Sequence, residues 1–190
     1  FLPGIFSFIA LLLVLKAFTE RKSARLAWTL LLLNHLWMVL AIAENERFSI
    51  DEIAIYLSGV LVFGFSGLAI ITWMRKNIGQ SGLYQYHGNV RRYPFVAFLF
   101  LLCTLGMMGF PISPTFLGVD LLFSHIHEDQ FLLAFFAALA FVMEGIAAVR
   151  IFARLFLGSK KAQLIPVVPL PRALGGIGYT NGKTKKSIFK

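Results

Sequence analysis

Charge is scarce in this sequence. Only 14% of its 190 residues are Asp, Glu, Lys or Arg, against roughly 25% in a typical soluble domain. Cysteine is almost absent: the single Cys103 lies in an apolar run, which excludes a disulfide framework and a CxxC metal site. No group of His, Cys and carboxylates stands at metal-ligand spacing, so no metal site is expected. There is also no GxSxG nucleophile motif and no glycine-rich phosphate loop between a strand and a helix. Soluble-type catalysis is therefore unsupported, no catalytic residue is named, and no cofactor is expected. The net charge of +9 comes without any aromatic-interleaved basic motif, so nucleic acid is not an expected partner.

What the chain has instead is apolar length. Hydrophobic residues make up 58% of it, 20 of them Phe, and the mean hydropathy is +0.76. Five apolar runs, at about 2–19, 26–43, 53–74, 94–127 and 130–157, mostly approach the length of about 20 residues that crosses a bilayer as a helix. They are continuous rather than alternating, which excludes a transmembrane barrel, since only helices then satisfy their own backbone in lipid. The expected fold is an all-α integral membrane bundle of about five transmembrane helices over residues 1–161. Residues 162–190, punctuated by Pro and Gly and carrying Arg172, Lys183, Lys185, Lys186 and Lys190 without an acid, are expected as a cytoplasmic tail in contact with lipid or solvent.

The connections alternate in charge. "TERKSAR" is basic and "ENERFSIDE" acidic; the next loop carries Arg75, Lys76, Arg91 and Arg92, the following turn Glu128 and Asp129, and the last run ends in Arg150, Arg154, Lys160 and Lys161. With basic loops on the cytoplasmic side, the N-terminus lies outside and the C-terminus inside a bacterial-type inner membrane. Trp28 and Trp73 then fall near the cytoplasmic ends of their runs, where indoles usually sit. A chain that opens on Phe1, directly into an apolar run, reads as part of something longer rather than as one led by a signal peptide.

One run contradicts its own composition. Residues 94–127 would make a straight helix of about 50 Å, whereas the hydrocarbon core is about 30 Å thick. Inside it lies "GFPISPTFLGVD", in which Pro111 and Pro114 lack N–H groups and oppose the carbonyls four residues earlier. Gly106 and Gly109 loosen the turn before them, and Ser113 and Thr115 can cap a new start. The fourth span is thus expected to be discontinuous at a GxPxxP break formed by Gly109, Pro111, Pro114 and Thr115. Transporters place ion sites at such breaks, and Asp120 follows at a depth of about 12 Å from the outer surface if that half is helical. A simple proline kink with Asp120 as an interfacial anchor is the alternative.

Glu144 and His35 each lie ten residues from a basic end, at Arg154 and Arg25, so both are expected about 15 Å deep. Imidazole titrates near neutral pH and burial raises a carboxyl toward it, so His35, Glu144 and Asp120 form a candidate stepped proton relay. Structural pairing is the alternative for the first two. His87, in the loop before residue 94, is a possible loop contact and otherwise structural.

"GLYQYHGNVRRYPFVAFLFLLCTLGMMGFPISPTFLGVDLL", followed by a helix ending "ARLFLG", resembles the C-terminal part of proton-conducting, antiporter-like membrane subunits. That family serves respiratory NADH:quinone oxidoreductase, multi-subunit cation/proton antiporters and inorganic carbon uptake systems. The resemblance covers residues 82–158. Its basic glycine-containing loop, its G-x-P-x-x-x-F break at Gly109, Pro111, Thr115 and Phe116, and its following charged residue, Asp120, carry it. It implies a proton-translocating membrane subunit, or the C-terminal part of one, within a larger energy-coupled complex. Other membrane subunits, a peripheral soluble subunit and lipids are the implied partners. The competing expectation is a non-conducting scaffold that anchors a peripheral enzyme.

Overall fold

The computed structural model describes residues 2–44, 49–79, 82–124, 126–127 and 129–158. The expected tail at 162–190 lies outside them, as do Glu128, Lys160 and Lys161. The described residues form six helices and no strand: α1 (Leu2–Thr19), α2 (Ala24–Ala43), α3 (Ile50–Ile78), α4 (Pro94–Met107), α5 (Pro114–Ser124) and α6 (Phe131–Phe156), with a 3-10 turn at Asn89–Arg91. Helices α1, α2, α3 and α6 are long and apolar enough to cross a membrane. At 14 and 11 residues, α4 and α5 reach only about 21 and 16 Å, each too short to cross alone.

Local chemistry explains where the helices begin and stop. Ser23 accepts the N–H of Leu26 at the start of α2, and Ser49 forms a capping box with Glu52 at the start of α3. Gly79 ends α3 with φ 73°, a left-handed cap that costs a side-chain-bearing residue strain.

Residues 108–113 separate α4 from α5. Gly109 sits at φ 70°, while Ser113 Oγ accepts the N–H of Phe116 at 3.3 Å. Pro114 is the first residue of α5, where the missing N–H costs nothing. Thr115, paired with Ser113 in sequence as a possible cap, is already inside α5, because Ser113 alone reaches the free N–H. Atoms around Gly109 leave ordinary van der Waals room for a methyl, so its backbone angle is what demands glycine. Gly109→Val is expected to cost about 1–2 kcal/mol, the penalty for a left-handed side-chain-bearing residue, read as a lowered thermal midpoint in detergent.

Packing puts α2 and α6 at the centre. Helix α1 lies against α2 and α6, α3 against α2, α4 and α5, and α6 also touches α2 and α4. Small residues allow this closeness, as at Gly67, where an added Cβ would come within 2.3 Å of the Trp28 ring. Trp28 is fully buried and its Nε1 donates to Gly64 O at 2.8 Å, so it joins α2 to α3. Trp73 remains exposed, edge-on to Tyr93.

Candidate functional site

Three helices each bring one titratable side chain to the centre of the bundle. On α2, buried residues recur at Trp28, Leu31, His35, Met38 and Ile42, a helical stripe that turns His35 inward. On α6 the stripe Ala137, Ala140, Glu144, Ala147 and Ile151 does the same for Glu144, and its alanines leave room for the neighbouring helices. Tyr56 begins the buried face of α3.

These side chains form a continuous chain of hydrogen bonds. His35 Nε2 lies 2.5 Å from Glu144 Oε1, and His35 Nδ1 lies 2.6 Å from the Tyr56 hydroxyl. Asn34 Nδ2 donates to the other carboxylate oxygen, Oε2, at 3.1 Å. His35 and Asn34 are 0% exposed, Glu144 1% and Tyr56 2%. A carboxylate so deeply buried is tolerated only when paired and hydrogen-bonded, and Glu144 has a donor on each oxygen.

The geometry constrains the protons. With Glu144 ionised and His35 neutral, Nε2–H donates to Glu144 and Nδ1 accepts the Tyr56 O–H. Adding a proton to the ring makes both nitrogens donors, and the Tyr56 oxygen then accepts. One proton on imidazole therefore reverses the direction of the Tyr56 bond. A hydroxyl, a two-ended imidazole and a carboxylate in series are the parts a proton relay requires.

Asp120 is not part of this chain. Helix α5 turns Thr115, Gly118 and Leu122 inward against α3, and Asp120, two residues past Gly118, lies on the exposed outer face. No described residue bonds its carboxylate. Sequence depth alone pairs His35 with Glu144, and the structure brings those two together while leaving Asp120 outside. Tyr56 and Asn34 carry no motif that points to them, though the i, i+3, i+4 pattern of Tyr56, Gly59, Val60 and Gly64 marks a buried face.

The break reaches the cluster through Tyr56. A Cβ added to Gly118 would stand 2.5 Å from Tyr56 Cβ and 2.7 Å from its Cα, so the two backbones are in direct contact. One turn on, Thr115 packs against Gly59, its Oγ1 buried without a hydrogen-bond partner.

His87 serves the loop instead. Its ring nitrogen Nε2 bonds the Gly82 carbonyl at 2.7 Å and its backbone N–H donates to Arg154 O, while Asn89 Nδ2 donates to Leu155 O. The loop before α4 is thereby strapped to the end of α6. Among the described residues no group of three or more His, Cys, Asp or Glu could hold a metal ion.

NADH-ubiquinone oxidoreductase chain 4 of Dictyostelium citrinum is 35% identical over 74 residues, and that of Dictyostelium discoideum is 34% identical over 74 residues, in each case 39% of this chain. The chain is similar to part of a complex I membrane subunit. It is a multi-pass membrane protein, and the similarity bears out the resemblance to antiporter-like membrane subunits. The matches cover 18% and 14% of those relatives' own lengths. No protein-family model and no solved structure matches the chain.

Proposed function

We propose that this chain is part of a proton-translocating membrane subunit of a larger energy-coupled complex, and that Glu144 and His35 hold and pass the proton. The single observation that supports the reading is the fully buried chain Tyr56–His35–Glu144 at 2.6 and 2.5 Å. Each link can either give or take a proton, and uptake of one proton takes the His35–Glu144 pair from a net charge of −1 to net neutral without exposing either group to lipid.

In the proposed orientation α4 and α5 together make one crossing, interrupted at residues 108–113. The basic ends of the helices face the cytoplasm, with the N-terminus outside. Asp120 faces outward from α5 and exchanges protons with groups that pack on that side. Other membrane subunits and a peripheral soluble subunit complete the complex.

Asp120→Asn tests the outer step: coupled proton flux in reconstituted vesicles is expected to vanish while assembly survives, and unchanged flux removes Asp120 from the pathway. Tyr56→Phe tests the inner chain, since it keeps the ring packing and removes only the hydroxyl. Flux is expected to fall about tenfold, which corresponds to a barrier increase of about 1.4 kcal/mol. A scaffold would lose nothing in either variant; it would instead release its peripheral partner when residues 162–190 are removed.

A further inference from the structure

At the basic end of the bundle, the last turn of α1 with the connection to α2, the last turns of α6 and the loop before α4 line a cavity of about 220 Å³. Arg21, Arg150 and Arg154 line it together with Phe18, Leu83 and Tyr84. Arg150 is committed to the fold: it donates to Phe18 O, and its Nη2 donates to Glu20 O at 3.1 Å, closing the carbonyl end of α1. Arg154 stacks over the Tyr86 ring at 4.3 Å and reaches Tyr84 O only at 3.4 Å. The guanidinium of Arg21 is exposed and has no described acceptor.

The nearby acid does not neutralise these groups by direct pairing. Glu20 Oε1 accepts the backbone N–H of Lys22 at 2.7 Å and that of Ser23 at 3.3 Å. The Lys22 bond, with help from Ser23 and Lys16, holds its carboxyl below the usual range, so it is ionised but turned to backbone. Each guanidinium carries five N–H groups in a planar fork, and most of those around this cavity have no described protein acceptor. Forked donors match the oxygens of a phosphate, while Phe18 and Leu83 offer apolar walls beside them.

We propose that this cavity binds a phosphate group, with Arg21 and Arg154 as its donors and Arg150 as the fixed floor. The ends of two membrane-length helices, α1 and α6, put it where the phosphate of an anionic phospholipid lies. Free phosphate presents the same oxygens. The site stands independently of the proton relay.

The test uses the intact complex purified through this chain in neutral detergent, then washed with either phosphatidylglycerol or phosphatidylcholine. Native mass spectrometry reads the lipid retained by wild type, by Arg21→Gln and by Arg21→Gln/Arg154→Gln. Selective retention of phosphatidylglycerol, weakened several-fold in the single variant and at least about tenfold in the double, supports the proposal with lipid as the source. Retention of inorganic phosphate that the double variant abolishes, without lipid selectivity, supports it with free phosphate as the source. Equal retention of both probes by wild type and Arg21→Gln overturns it, and because Arg21 bonds no described group, misfolding does not excuse that result.

Discussion

Replacing Glu144 with glutamine is expected to reduce coupled proton flux to background while the complex still assembles. The argument is geometric. Glutamine keeps the carbonyl oxygen that can accept from His35 Nε2 and keeps the volume between α2 and α6, but it can no longer take up a proton. Because Glu144 has two donors, one from His35 and one from Asn34, removing it altogether is a different experiment. Glu144→Ala leaves both donors buried and unsatisfied, at about 1–3 kcal/mol each, and is expected to lower the yield of assembled complex. His35→Ala is harsher, stranding an ionised carboxylate, a loss of about 3–5 kcal/mol when one partner of a buried pair is removed. Vesicle proton-flux assays beside blue-native gels separate the outcomes. Full flux in Glu144→Gln would reduce the cluster to a structural tie between helices.

A methyl group at Gly118 is expected to disturb the same site from the far side of α3. Gly118→Ala places a carbon where Tyr56 already has Cα, Cβ and ring atom Cδ2 within 2.7 Å, and backbone cannot rotate out of the way as a side chain can. Either α5 withdraws from α3 or Tyr56 shifts, and both lengthen the 2.6 Å bond to His35. Overpacking of this kind typically costs 1–3 kcal/mol, so a drop in thermal midpoint should accompany a loss of flux at least as large as that of Tyr56→Phe. Gly145→Ala is the control. Its added carbon would meet only the flexible end of Met108, at 3.2 Å, and it lies beside Glu144 in sequence, so its flux should stay near wild type. Equal behaviour of the two variants would break the proposed mechanical link between the helix break and the cluster.

Much of the bundle was legible before any coordinates. Continuous apolar runs near the length of about 20 residues that crosses a bilayer have one stable solution in lipid, the helix, and α1, α2 and α6 follow the expected runs to within a few residues. Residues 108–113, which hold Pro111 and precede Pro114, lie between α4 and α5, and neither proline has an N–H to give a helix. Trp28 shows where such reasoning stops. Position along a run puts it near a helix end, but that its indole turns inward to Gly64 O is set by rotation about the helix axis, and only the packing partner decides that rotation. Thr115 shows the same limit at shorter range, since Ser113, two residues earlier, accepts the N–H of Phe116 instead.

For the candidate site, the division is between depth and direction. Depth along a helix is a matter of counting residues at a fixed rise, so the sequence by itself puts His35 and Glu144 near one level. Which side chains touch depends on the rotation of each helix and on which helices are neighbours. The glycines and alanines that permit close approach set those quantities, together with contacts between residues more than a hundred positions apart. Only the tertiary structure could place Tyr56 and Asn34 beside the pair, turn Asp120 away from it, and rest Gly118 against Tyr56, because each is a relation between helices that no single helix encodes.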